Sequence, residues 1–395
     1  MWSFSECAND GADAVCRLNS APPHKSTPTR VSGRMIKNIQ YLRFIAAFLV
    51  VCAHSNLQIY GIPPSLTNLG GFGVDIFFII SGFIMPFILY GGLYRKDSVA
   101  LMGPAGFMWR RITRIWPMYC FTISVVVLVS WLVMNGKIDN VTAELAYFFN
   151  GSKMDLGWYV ETLTFTHWTR PPILGIGWTL QVEFMFYAAI AVVLLFRAQT
   201  LATLEVGLVV FFFGAMLLAS NTHVGVVATS FANPMIVEFM LGIFLYRLVS
   251  GGTLMPRGVA IVCAVLAIPL FLFVELNALI QVPGLLYRPI AWGMPAFLLV
   301  WAALSLERDT KESKVFGLLG DASYSLYLIH GFVAPIFFFL WMRSGLDQTV
   351  NVWIYLACYL FVCHAAGIAG HLYIEKPMNT AIKKYMRVKP KCVTS

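Results

Sequence analysis

The sequence predicts an all-α polytopic membrane protein with about ten transmembrane helices and both termini in the cytoplasm. Three observations carry that expectation. Hydrophobic residues make up 58% of the 395-residue chain and charged residues only 12%, against roughly 25% charged residues in a soluble domain. The mean hydropathy is +0.73. Apolar runs long enough to cross a bilayer recur at about 38–59, 72–93, 115–134, 177–197, 201–219, 226–248, 257–277, 286–306, 322–342 and 350–373. Finally, Lys and Arg are unevenly shared between alternate connections. With the N-terminus inside, only Lys137, Lys153, Arg170, Arg288 and Arg343 of the 28 basic residues fall outside. The net charge of +9 is then an orientation signal, helped by anionic lipids, and calls for no nucleic acid.

Residues 1–35 are polar, rich in Ser and Pro, and lack the apolar stretch of a signal peptide. They read as a disordered cytoplasmic leader, and Met35 before Ile36 and Lys37 makes an equally natural start. The membrane domain is expected over 36–378, and 379–395 forms a basic cytoplasmic tail. The eight cysteines are scattered, with no CxxC pair and no metal-ligand spacing. They read as small core residues, and no metal is expected. The longest outer connection, about 135–176, mixes Trp, Asp and Glu; its aromatics are expected along the outer interface.

The first span, "QYLRFIAAFLVVCAHSN", carries Arg43 and His54. Eleven residues turn a helix to within about 20° of its starting direction and advance it ~16 Å, so the two share one face at opposite ends. Arg43 alone reads as a snorkelling anchor and His54 as a packing histidine. Asp75 in "GGFGVDIFFIISGFIM" changes the second reading. It starts the next span at the depth of His54, after a short connection. A carboxylate beside an imidazole fixes its tautomer and raises its basicity, so His54 and Asp75 are expected to pair as a general base. A pair that merely docks two helices is the plainer alternative. Gly71, Gly73 and Gly82 would let neighbouring helices approach this span.

"MWRRITRIWPMY" places Arg110, Arg111 and Arg114 at the cytoplasmic entry of the third span. Guanidinium groups at i and i+3 suit phosphate capture, although orientation alone would also place cations here. "GWTLQVEFMFY" carries Glu183 and Trp178, expected beside His54 and Asp75 on the outer half. Glu183 could orient an acceptor hydroxyl, pair with Arg170 or fasten the bundle. "GDASYSLYLIH" gives the ninth span a polar face that glues helices together or lines a channel. Glu238 and Asn233 are expected at the same cavity, and Pro377 in "YIEKPM" is expected to end the last helix. His364 and His371 have no carboxylate set that would make them metal ligands.

Arg43–x10–His54, "GVDIFFIISGFIM", "RRITRIWPMY", "GWTLQVEFMFY", "GDASYSLYLIH" and "IEKPM" resemble, in order and spacing, the acyltransferase-3 family of integral membrane acyltransferases. The likeness spans residues 36–378 and looks most like the branch that acetylates bacterial exopolysaccharides. The resemblance implies an acyl-CoA donor, usually acetyl-CoA, and a location in the bacterial inner membrane. It further implies a polysaccharide or lipid-linked oligosaccharide acceptor, with a polysaccharide-synthesis complex as a partner. It assigns an essential catalytic role to the histidine matching His54 and implicates Arg43, Arg111 and Arg114. The expected site therefore has His54 and Asp75 as catalytic residues, Arg43, Arg111 and Arg114 on the donor, and Glu183 and Trp178 on the acceptor. A transporter or flippase of a lipid-linked glycan would use the same intramembrane polar residues as a path.

Overall fold

The computed structural model describes residues 36–95, 98–135, 156–219, 230–231, 233–277 and 284–386. The expected leader 1–35, Lys137, Lys153 and residues 387–395 of the expected tail lie outside the described residues. Regular structure among the described residues is entirely helical, with no strand. The principal helices are α1 (Lys37–Ala53), α2 (Phe72–Leu89), α3 (Pro104–Met134), α4 (Gly177–Leu195) and α5 (Leu201–Ala219). They continue with α6 (Ile236–Ser250), α7 (Arg257–Leu276), α8 (Met294–Ser305), α9 (Ser323–Arg343) and α10 (Val352–Gly370).

Seven helices among the described residues are long and apolar enough to cross a membrane. The expected spans around α1, α6 and α8 fall short of that measure, with regular helices of 17, 15 and 12 residues. For α8 the reason is local: a π-helical turn at Pro289–Gly293 separates it from the short helix Gly284–Arg288. Apolar side chains face outward over much of α5 and α7, including Val206, Val210, Phe213, Val262, Val265 and Phe273. An outer surface of this kind suits lipid rather than water.

Polar contacts fix which helix ends lie together. The Glu307 carboxylate accepts from the Lys37 and Asn38 backbone amides at 3.0 and 2.9 Å, so an anion satisfies the exposed donors that begin α1. The Lys37 ammonium donates to the Thr310 carbonyl, and Arg257 at the start of α7 pairs with Asp309 at 3.6 Å. The start of α1, the start of α7 and the end of α8 therefore share one end of the bundle. At the other end the Trp292 ring lies 3.5 Å from where a Cβ on Gly71 would stand, just before α2.

Helix α2 is packed on two sides, and its glycines define them. A Cβ on Gly73 would strike the Ala46 carbonyl of α1, whereas one on Gly82 would strike the Phe239 carbonyl of α6. Gly242 of α6 faces back against the Ile79 carbonyl. Backbones this close gain many small dispersion contacts, the main source of helix association in lipid.

Two expectations are corrected here. Two aromatics of the 156–176 segment, Trp158 and Phe165, are buried in the bundle rather than laid along an outer interface. A helix at Leu156–Leu163 folds back onto the middle of α3, where Trp116 Nε1 donates to the Leu163 carbonyl at 3.0 Å. Phe165 stacks between Tyr119 and Phe184, with ring centroids 4.9 and 4.1 Å away. Burying these faces gains more than leaving them at the surface. Nor does Pro377 end the last helix. The helix runs on from α10 through a π-helical turn at His371–Glu375 into Lys376–Met386, and so passes Pro377 without a break.

The glycine crossing is testable. Gly82→Ala or Gly242→Ala should lower stability by about 2 kcal/mol or more by overpacking. Gly214→Ala, whose Cβ would meet nothing within 4 Å, should cause no loss. Thermal unfolding of the detergent-solubilised chain, read by the loss of the monodisperse gel-filtration peak, distinguishes these outcomes.

Candidate active site

A cavity of about 360 Å³ is lined by α1, α2, α3, α4 and α9. Its walls are mostly aliphatic and aromatic, and Arg43, Arg111 and Arg114 all reach it. Each helix contributes by simple spacing. Gln40 and Arg43 are i and i+3 on α1, Arg111 and Arg114 are i and i+3 on α3, and Tyr324 and Tyr327 repeat the pattern on α9. Arg110 lies off this face and is exposed. Thus the two arginine motifs, far apart in sequence, meet at one place.

Arg111 is the most constrained of the three. It is 7% exposed, its Nε has no hydrogen-bond partner, and its Nη1 reaches only the Met85 sulfur at 3.9 Å. A buried cation with an idle donor is costly unless an anion arrives. Glu183 is the carboxylate that lines this cavity, and it is partly committed elsewhere. Its Oε1 accepts from Ser81 Oγ at 2.8 Å and from the Tyr187 hydroxyl in a short bond. Glu375 acts electrostatically on Arg43 and Arg114. It is itself held by Ser325 Oγ and His371 Nδ1 at 2.6 and 2.8 Å. With three cations and one carboxylate on its wall, the cavity suits an anion.

Glu183 is therefore not beside His54 and Asp75 as expected; it stands among the arginines. The reason is that the 156–176 segment enters the bundle and starts α4 deep inside, with Gly177 against the Tyr119 hydroxyl. Arg170 pairs with Glu161 at 3.0 Å. Trp178 is 37% exposed and does not line the cavity.

His54 caps the far end of α1 and is partly buried. Its Nδ1 lies 2.8 Å from the Val50 carbonyl. A carbonyl can only accept, so Nδ1 carries the proton and the neutral ring keeps a lone pair on Nε2. The ring of His330 stands edge-on at 5.1 Å, and Tyr327 stands 5.7 Å beyond it. Tyr327 also walls the cavity, where its hydroxyl bonds Thr179 Oγ1 at 2.5 Å and the Ile176 carbonyl at 3.2 Å. The α9 stripe Tyr324–Tyr327–His330 thus runs from the arginine cavity to His54.

The expected His54–Asp75 pair does not form. Asp75 is fully buried and forked by Arg288, Nε to Oδ1 at 3.0 Å and Nη2 to Oδ2 at 2.9 Å. Its direction follows from α2. Asp75 is seven residues before Gly82, a turn of about −20°, and two after Gly73, a turn of about 200°. It therefore shares the α6-facing side with Gly82 and points away from α1. Glu238 does not face the cavity either; it is buried against Gly293 and beside Asp75. Asn233 instead accepts from the Met235 amide. Among the described residues no group of three His, Cys, Asp or Glu could hold a metal ion.

Sequence reasoning missed Arg288, Ser81, Thr179 and Tyr187 as members of polar clusters. Thr179, Glu183 and Tyr187 stand at i, i+4 and i+8, a helical stripe readable in "WTLQVEFMFY". By charge distribution Arg288 reads only as an outer cation. A cation beginning an apolar run, with a buried carboxylate elsewhere in need of a partner, is the signal that could have found it.

Comparison with known proteins shows the family of the chain. The Acyl_transf_3 family model, an acyltransferase domain, matches residues 36–370. The exopolysaccharide production protein ExoZ of Rhizobium meliloti is 30% identical over 79% of this chain and 90% of that protein. The peptidoglycan O-acetyltransferase OatA of Listeria monocytogenes is 30% identical over 40% of this chain and 24% of its own length. The O-acetyltransferase OatA of Staphylococcus aureus is 28% identical over 42% of this chain and 26% of its own length. The match thus spans about a quarter of each OatA protein. No solved structure matches the chain. The chain is a multi-pass membrane acyltransferase and belongs to the acyltransferase-3 family.

Proposed function

We propose that the protein transfers an acyl group, most simply acetyl, from cytoplasmic acyl-CoA to a hydroxyl of an extracytoplasmic or lipid-linked polysaccharide, across the bacterial inner membrane. In this reading all ten principal helices cross or nearly cross the bilayer, both termini are cytoplasmic, and the Arg43 end of α1 faces inward. The names of ExoZ and OatA support the acceptor class. The observation that carries the reading is the convergence of Arg43, Arg111 and Arg114 on one cavity, with the Arg111 Nε buried and unpartnered.

The donor's phosphates engage the guanidinium groups, which suit them as bidentate partners. The aliphatic walls take the pantetheine arm, directed along α9 toward His54. The advance from Arg43 to His54 along the helix, ~16 Å, matches the reach of such an arm. The wall to be passed is Tyr327, held in place by Thr179 and Ile176. His54 Nε2 takes the proton of the acceptor hydroxyl as its oxygen attacks the thioester carbonyl. The carbon–sulfur bond breaks, and the departing thiolate receives the proton from Nε2. The Val50 carbonyl sets the tautomer in place of Asp75.

His54→Ala should cut acyl transfer by roughly 10²–10⁴-fold, the usual worth of a positioned general base, while leaving acetyl-CoA binding intact. Labelled acetyl-CoA incubated with purified protein and acceptor glycan reads the first, and equilibrium dialysis the second. Undiminished transfer would refute this role. Arg111→Ala should weaken acetyl-CoA binding about tenfold or more, as the loss of a charge-assisted hydrogen bond does. Equal affinity for wild type and variant would remove the cavity from the donor site. Asp75→Asn should behave differently again, because it leaves Arg288 facing a neutral partner. Removing one member of a buried ion pair costs ~3–5 kcal/mol, so the expected result is a lower unfolding temperature rather than a selective loss of turnover.

A further inference from the structure

At the end of the bundle opposite Lys37, the π-helical turn Pro289–Gly293 and its neighbours gather a second polar cluster, apart from the arginine cavity. Trp292 Nε1 and the Tyr287 hydroxyl both donate to Glu275 Oε2, at 3.0 and 2.6 Å. Glu275 Oε1 has no hydrogen-bond partner among the described residues. The Arg288 guanidinium lies over the Trp292 ring, 4.6 Å from its centroid. Asp75 occupies Nε and Nη2 of that guanidinium, while Nη1 has no partner among the described residues and the side chain stays 28% exposed. Tyr287, Trp292 and Glu275 are only partly buried. A partly buried indole, met edge-on by the Phe271 ring at 4.9 Å, thus stands beside a carboxylate oxygen and a guanidinium edge that have no hydrogen-bond partner among the described residues.

The cluster also lies at the His54 end of α1. Trp292 packs on Gly71, and a Cβ on the adjoining Gly70 would stand 2.8 Å from the amide of Ala53, the residue before His54. Wide π turns recur at functional positions. A sugar ring offers an apolar face for an aromatic side chain and hydroxyls that both donate and accept. A carboxylate oxygen and a guanidinium edge are the acceptor and donor such hydroxyls need.

We infer that Trp292, Glu275 and the open edge of Arg288 form the binding site for a sugar unit of the acceptor glycan, delivering its hydroxyl to the His54 end of α1. This inference rests on the acyl-transfer reading for its purpose, but not for its test.

The test is direct glycan binding by the full chain in lipid nanodiscs. The probe is tritiated oligosaccharide prepared from the host's own exopolysaccharide after alkaline de-O-acetylation. Trp292→Ala and Glu275→Gln should each weaken retention about tenfold, as losing a stacking face or a charged hydrogen bond does, while Trp292→Phe should cost less than about threefold. Acetyl-CoA binding by the same samples should be unchanged, which shows that the variants are folded. Retention equal to wild type in both Trp292→Ala and Glu275→Gln, or no retention by wild type, would overturn the inference. Wild-type protein that binds glycan but transfers no acyl group would refute the proposed reaction and leave this site standing.

Discussion

A guanidinium group buried in a helical bundle without its full set of partners sets the terms for the rest of the structure. Arg111 is 7% exposed, and its Nε is unsatisfied. The low dielectric that makes such a group expensive also strengthens its attraction for an anion. Around it the packing is arranged to keep neutralising carboxylates limited. Glu183 is drawn toward Ser81 and Tyr187, and Glu375 toward Ser325 and His371. The cavity therefore retains positive character without dispersing it into tight ion pairs, and preorganised charge of this kind needs little rearrangement to accept an anion.

The helices supply a direction. α1 places Arg43 at one end and His54 at the other, and α9 follows it with Tyr324, Tyr327 and His330. Between cavity and imidazole stand the rings of Tyr327 and His330. Close packing of α2 against α1 and α6 keeps these parts in register, because neither contact tolerates a Cβ at Gly73 or Gly82.

Much of this was legible in the sequence. The apolar runs located the helices, since backbone in lipid must bond to itself. The arginines announced themselves as charges that a span would otherwise avoid. What composition and depth did not convey was rotation about the helix axis. Depth put Asp75 level with His54, but its angular position, shared with Gly82, turns it toward Arg288 and Glu238. Glu183 was misplaced for a different reason. The loop before α4 reads as surface, yet Phe165 and Trp158 are buried, and their burial draws the start of α4 inward. The π turns at Pro289–Gly293 and His371–Glu375 leave no simple periodic trace, so the helix continuing past Pro377 could not be read.

In the proposed reaction one donor molecule bridges the arginine cavity and His54. A structure of the protein bound to a non-hydrolysable acetyl-CoA analogue tests it most directly. The account predicts diphosphate density against Arg111 and Arg114, with the acyl carbonyl carbon near attack distance of a hydroxyl held by His54 Nε2, itself within ~3 Å of that nitrogen. Phosphates seated elsewhere, or an acyl group ending in the cavity short of Tyr327 with no path onward, would contradict it.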